Sequence, residues 1–240
     1  MIRPDYAVKV LTPIIRLLNR HVRENDREID ETPVFPDWSN WDGKRSAKLP
    51  AMKQQVTTTC LEMISPDQLV MKPFERKDVL LMQAEVPNPD LNHFLFMSVG
   101  LPWQWYSRLA WQRRDWDQYL NSPDVQTWVG YVKGTPFGYF ELEKQSGADV
   151  EIKFFGLLPA FIGQGLGSYL LSRTIQQAWA MEASRVWVHT CSLDHPTALS
   201  NYQNRGFKIC KVSSEDEEIP DDNDPVWLSP AFYKPDQASP

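Results

Sequence analysis

Three glycines on alternate positions, in Gly163-Gln164-Gly165-Leu166-Gly167, constrain this chain more than any other feature. They follow an apolar stretch over residues 150–158, closed by Pro159, and precede a helical pattern over residues 168–183. Alternate glycines strip the side chains from a short turn and open backbone conformations that other residues avoid. The N–H groups of such a turn can converge on an anion, and the start of the following helix adds the positive end of its dipole. Strand, glycine turn and helix together predict a phosphate cradle.

Two common cradles do not match. A P-loop ends in Gly-Lys-Ser/Thr, whereas Leu166-Gly167-Ser168 carries no lysine. A dinucleotide fingerprint sits directly after its strand and needs a third glycine where Ser168 stands; here Pro159-Ala160-Phe161-Ile162 intervene. What remains is Gly-x-Gly-x-Gly after Glu-Ile-Lys-Phe-Phe-Gly-Leu-Leu-Pro, residues 151–159. That combination resembles the pyrophosphate-binding motif of the GNAT superfamily, the acyl-CoA-dependent N-acetyltransferases.

Composition bounds the alternatives. An apolar share of 42% supports a real core, and 240 residues suit one medium domain with extensions or two small ones. The net charge of −6 argues against a general nucleic-acid binder, which needs a basic face. Cys60, Cys191 and Cys210 are odd in number and lack metal-ligand spacing, so they read as reduced thiols of a cytoplasmic protein without a metal. No apolar run approaches the about 18 residues that span a bilayer, and the N-terminus reads without a signal-peptide core.

Along the chain, residues 1–55 read as an extension. Thr12 and Pro13 open a helix whose apolar face is Ile14, Ile15, Leu18 and Val22, with Arg16, Arg20 and Arg23 opposite. Such a helix either packs on the main domain or meets a membrane surface or partner. Residues 24–48 read as an irregular linker. Strands are expected near residues 55–63 and 78–85, then a hairpin over 127–132 and 137–143 about Lys133-Gly134-Thr135-Pro136. The segment 94–116 is dense in aromatics, with helical spacing over 109–119. After a turn at Ser146-Gly147 come the strand over 150–158, the glycine turn, a helix to about 183 and a β-branched strand over 186–191. Asp194 is expected to cap a further helix ending at Gly206, and residues 207–212 to close the sheet. Residues 213–240 read as an acidic, proline-rich tail.

This element order matches the GNAT core over residues 56–212. The resemblance implies an α/β (α+β) fold with a mixed, twisted central sheet, helices on both faces and a splayed strand pair that admits acyl-CoA. It implies that Ile162, Gly163, Gln164, Gly165, Leu166, Gly167 and Ser168 hold the pyrophosphate, and that Leu157, Leu158 and neighbouring backbone meet the pantetheine arm. Ile162 departs from the Arg or Gln usual at the head of the motif. The ending Ala198-x-x-x-Tyr202-x-x-x-Gly206-Phe207 resembles the family's, which implies that Tyr202 lies by the thioester sulfur as an acid. Glu151, eight residues before Pro159, stands where a family glutamate accepts the amine proton through water. Glu141 and Glu143, on one face of their strand by alternation, and Asp149 are rivals. His195 stands where relatives carry a CoA-contacting asparagine, and reads as a contact, a base or a structural residue.

The aromatic segment occupies the acceptor wall of the family. Trp103, Trp105 and Tyr106, with Trp111, form either a surface for an amine or core. Arg108, Arg113 and Arg114 are candidates for an acidic group or the CoA 3′-phosphate. The resemblance thus implies transfer from acetyl-CoA as co-substrate to a small-molecule or peptide primary amine, and it admits a homodimer. The rival readings are a catalytically silent acyl-CoA-binding module and a nucleotide-binding fold.

Overall fold

The computed structural model describes residues 52–220 and Trp227. The expected helix at residues 12–22, the linker over 24–48 and the tail from 221, Trp227 apart, lie outside the described residues.

Seven strands form one sheet in the order β2-β3-β4-β5-β6-β1-β7. They are β1 (Met52–Met63), β2 (Val79–Gln83), β3 (Val125–Val132), β4 (Thr135–Lys144), β5 (Asp149–Leu157), β6 (Arg185–Cys191) and β7 (Lys208–Ile219). Neighbours run antiparallel except β5 and β6. The β3–β4 hairpin turns on Lys133 and Gly134, with φ of 50° and 84°, which matches the twist of the flanking strands. Helices α1 (Pro89–Gly100), α2 (Arg113–Leu120), α3 (Leu166–Ala180) and α4 (Ala198–Gln203) cover the two faces.

One face belongs to α3, whose Leu166, Leu170, Leu171, Ile175 and Ala178 are fully buried against Leu61, Phe140, Ile152 and Val188. Burying each leucine contributes about 1.5–3 kcal/mol, so the helix that starts at the glycine turn is anchored by its own stripe. The opposite face carries α1 and α2. The Leu95 and Val99 side chains pack on Val129 and Tyr139, while Phe96, Leu109, Trp116 and Trp227 form a second cluster.

β5 and β6 pair over three residues only, Asp149↔Arg185, Val150↔Val186 and Glu151↔Trp187. Beyond them the register of β5 against β4 shifts: Leu142 opposes Ile152 while Glu141 opposes Phe154, leaving Lys153 as the extra residue of a bulge. A bulge bends its strand and increases the local twist, so the end of pairing and the bulge coincide for a physical reason. The strands then diverge and open a wedge.

Several expectations are revised. α1 is an unforeseen helix, capped by the Asn88 side chain, which accepts from the Leu91 N–H, with Pro89 at its first position. β7 runs to Ile219, well into the segment read as an acidic tail, because β1 pairs with it along almost its whole length and buries Ile219. Glu215, Asp216 and Glu218 then decorate an exposed edge strand, where charge discourages further pairing. The expected helix from Asp194 shrinks to α4, which follows Thr197, because the Asp194 carboxylate turns back to β6 and accepts from Thr190 Oγ1 (2.7 Å) and the Cys191 N–H (3.0 Å).

Glu141 and Glu143 share one face of β4, since the bulge at Lys153 lies on β5, but their surroundings differ. Glu141 is wholly buried and bonded to the Arg108 guanidinium at 2.8 Å, with the Asn92 amide donating to it at 2.8 Å. Arg108 is equally enclosed by the rings of Trp111, Tyr119 and Phe154, each within 4.4 Å. Burial opposes the charge on Arg108, but the Glu141 carboxylate outweighs it and holds the guanidinium above its ordinary value. Glu143 instead pairs with Lys153 where both are partly exposed. Glu141→Gln strands a buried cation and is expected to cost about 3–5 kcal/mol, whereas Glu143→Gln is expected to cost at most about 1 kcal/mol. Urea denaturation of the two variants checks the difference.

Candidate active site

The wedge between β5 and β6 opens into a cavity of about 610 Å³. The glycine turn borders it. Gly163 and Gly165 take φ of +81° and +75°, the left-handed region that glycine enters without strain, and a Cβ at either would meet nothing within 4 Å. Gly165 is the N-cap of α3, with no side-chain cap, so the first N–H groups of the helix have no intrahelical partner. Ile162, Gly163, Gly165, Gly167, Ser168 and Leu157 line the cavity. Three other expected contacts direct their side chains elsewhere. Leu166 lies in the core under α3, Gln164 folds back to donate to the Ala160 carbonyl at 2.9 Å, and Leu158 packs toward the Leu95 and Val99 cluster. Lys72 and Arg205 bring cationic side chains to the same cavity.

Tyr202 lines this cavity too, at the far wall, nearly buried between the rings of Phe155 and Phe207. Burial, reinforced by the Asp194 charge, pushes its phenol far above the ordinary value, so it stays protonated at any physiological pH. His195 borders the cavity with its Nδ1 accepting from the Thr197 N–H (3.1 Å) and facing the Thr197 hydroxyl (2.8 Å). An imidazole nitrogen that accepts from a backbone N–H holds its lone pair there, which leaves Nε2 as the protonated, donating atom. In that tautomer His195 presents a donor to the cavity.

The aromatic segment crosses the mouth. Trp103 stacks edge-on against His195 with centroids 4.8 Å apart, Trp105 Nε1 donates to Asp194 at 3.4 Å, and the Tyr106 hydroxyl donates to Glu217 on β7. All three rings line the cavity, so this stretch is a wall joined to the opposite bank rather than core alone. Its arginines point elsewhere: Arg108 is sealed against Glu141, and Arg113 pairs with Asp90 at 2.9 Å.

Glu151 occupies a different position from the one expected. It is 2% exposed and stands behind the cavity wall rather than in it. Its carboxylate accepts from Gln145 Nε2 (2.8 Å) and Lys153 Nζ (3.0 Å), and His189 Nδ1 lies 3.4 Å away. Burial pushes this carboxyl up, but the bonds from His189 and the charge of Lys153 prevail and hold it below its ordinary value. Lys153 and His189 both line the cavity and stand between Glu151 and its interior. Neither was singled out in the sequence. The alternation of β6 was the available signal: with Val186 and Val188 in the core, Trp187, His189 and Cys191 must face the other way.

Residues 93–207, from α1 through Phe207, match the family model of the acetyltransferase (GNAT) family. Over those residues the chain is similar to the GNAT acetyltransferases. No curated protein sequence matches it significantly. Among solved structures, a Drosophila protein is 10% identical with a TM-score of 0.52, the match covering 71% of this chain and 54% of that one. A GCN5-related N-acetyltransferase from Kribbella flavida is 16% identical with a TM-score of 0.48, covering 67% and 58%. An acetyltransferase from Bacillus subtilis, solved in complex with CoA, is 20% identical with a TM-score of 0.43, covering 55% and 78%. The chain therefore spans less than two thirds of the length of the first two.

Within the matched residues the glycine turn presents backbone alone. Ile162 presents an apolar side chain that is 38% exposed, so the polar groups this stretch offers the cavity are its N–H groups and the nearby cations. Gly165→Val would force a β-branched residue to φ +75° and set two methyl groups at the helix start. The expected outcome is at least a tenfold loss of CoA affinity by calorimetry, about 1.4 kcal/mol, beside about 1–3 kcal/mol of lost stability. Ile162→Ala is expected to leave that affinity within a factor of about three, since every backbone donor remains.

Proposed function

We propose that this chain is an acyl-CoA-dependent N-acyltransferase that moves an acetyl group from acetyl-CoA to a primary amine by direct attack. The single observation that carries the reading is the placement of two unrelated features in one cavity. The glycine turn at the start of α3 and the protonated phenol of Tyr202 both border the wedge where β5 leaves β6.

The residues fit the donor. A diphosphate suits the side-chain-free helix start, with Lys72 and Arg205 as further cations. β5 beyond Glu151 pairs with β4 on one side only, so its other edge offers N–H and C=O groups to an amide-bearing pantetheine arm at Leu157. When bound, the thioester supplies an activated acyl carbon and a thiol leaving group. Tyr202 then serves as the acid: a phenol kept neutral by burial can protonate the departing thiolate.

The acceptor enters beside the aromatic wall. Trp103, Trp105 and Tyr106 offer ring faces to a cation, and Asp194 and Glu217 border the same space. An ammonium cannot attack, so it must first lose a proton in the cavity. The Glu151 charge lies behind this space, within reach through Lys153 and His189. We read the acceptor as a small-molecule or peptide amine and the protein as cytoplasmic.

Incubation with acetyl-CoA and pooled primary amines, followed by mass spectrometry, is expected to reveal an acetylated amine and free CoA. Tyr202→Phe is expected to lower kcat about 100-fold while changing the affinity for CoA little. Tight CoA binding with no transfer to any amine would instead identify a binding module, and displacement of CoA by ATP or NAD would identify a nucleotide site.

A further inference from the structure

We propose that His189 is the base that takes the proton from the acceptor ammonium, and that Glu151 is the positioning residue behind it. The proposal rests on the acyltransferase reading and assigns its proton acceptor.

The assignment follows from what the carboxylates, Lys153 and the two histidines around the cavity are already doing. Glu151 is sealed from the cavity, with Gln145 and Lys153 both donating to its Oε2 and Oε1 turned toward His189. Lys153 lies between the Glu151 and Glu143 carboxylates at 3.0 and 3.3 Å. Burial disfavours its charge, but these two carboxylates outweigh that and hold the ammonium above its ordinary value, which disqualifies it as a base. His195 holds its lone pair on Thr197, Asp194 accepts from Thr190 and the Cys191 N–H, and Glu217 accepts from the Tyr106 hydroxyl. His189 differs from all of them. Its Nδ1 faces a buried carboxylate oxygen at 3.4 Å, which selects the tautomer with the proton on Nδ1. Nε2, on the other side of the ring, then carries the lone pair of a residue that lines the cavity and is 47% exposed.

A carboxylate behind one imidazole nitrogen and a substrate proton before the other is the arrangement that orients a general base and stabilises its imidazolium. The other groups about this ring are few. Lys153 approaches from β5, with Glu143 of β4 beyond it. Cys60 is the cross-strand partner on β1, flanked along that strand by Glu62, and Lys211 of β7 pairs with Cys60 in turn. On β6 itself Trp187 and Cys191 share its face, with the Trp187 ring 6.1 Å away.

The protons balance. Nε2 takes one proton from the ammonium and, being exposed, returns it to solvent. The freed amine lone pair bonds to the thioester carbonyl carbon. The C–S bond breaks with its electron pair on sulfur, which receives the Tyr202 phenol proton. The surplus proton on the new amide nitrogen restores the phenol. One proton leaves per turnover, through His189.

Four measurements on the full chain test this. Nitrogen-15 spectra of the histidine side chains, assigned with His189→Gln, are expected to show His189 protonated on Nδ1, and less uniformly so in Glu151→Gln. In His189→Gln, kcat with acetyl-CoA and a reactive amine from the panel tyramine, spermidine and a lysine peptide is expected to fall about 100-fold. CoA affinity by calorimetry is expected to stay within twofold. The acid limb of the pH–rate profile is expected to vanish. His189→Asn provides a second variant should glutamine disturb the sheet, and circular dichroism checks the fold of both. A proton on Nε2 in the free protein, or folded variants with at least half the wild-type kcat across the pH range, would overturn the base assignment alone. Wild-type protein that binds CoA but acetylates none of the panel would overturn it together with the enzymatic reading. Wild-type protein that does not bind CoA would overturn the donor site beneath both.

Discussion

Three paired residues hold β5 to β6, and the site depends on their being only three. A parallel pair of this length would normally continue to the strand ends, sealing the sheet. Here the bulge at Lys153 bends β5 away at the point where pairing stops. The consequences follow in order. The free edge of β5 becomes a wall, the helix start after β5 faces the gap, and Tyr202 reaches the gap from α4. Each of these is held by the core cluster around the fully buried stripe of α3. The cavity is therefore a shape imposed by the core rather than by flexible loops.

The bulge has a second effect. It places Lys153, the extra residue, at the cavity with its ammonium between two carboxylates. That cation neutralises part of the Glu151 charge and turns a buried acid into a fixed member of a network. The network ends at His189, the member with a nitrogen available to the cavity. On the opposite bank, the buried Arg108–Glu141 pair performs a structural task. It ties the chain entering α2 to β4 and so supports the aromatic stretch Trp103–Trp105–Tyr106, which bridges to Asp194, His195 and Glu217. A buried pair of this kind contributes position more than net stability.

Much of this was legible in the chain. The glycine turn, its strand and its helix stand where the residues put them, because left-handed turns and apolar stripes are local signals. The Tyr202 and Gly206-Phe207 ending was legible for the same reason: Gly206 takes φ +102° at the end of its helix. What misled was charge. Glu141 and Glu143 look alike on an alternating strand and share its face, yet Glu141 meets Arg108 and Asn92 in the core while Glu143, nearer the strand end, meets the partly exposed Lys153. Arg108 read as a candidate for an acidic group or a phosphate, and the acid it meets is a buried one 33 positions away, Glu141. Asp194 looked like a helix cap, but two nearer donors on β6 claimed it. The second half of β7, from residue 213, looked like an acidic tail, since an exposed edge strand needs no apolar alternation once β1 supplies its hydrogen bonds. Long-range partners, not local propensity, settled each of these.

Binding of CoA, read by amide NMR, tests the central claim most directly. The claim is that the helix start at the glycine turn and the splayed edge of β5 form one donor site. Titration with CoA is expected to shift the amide signals of Gly163, Gly165, Gly167 and Leu157 together, with one dissociation constant, while signals of the sealed core at Glu141 and Arg108 stay in place. Saturation with CoA that moves residues elsewhere and leaves these four unchanged would contradict the account.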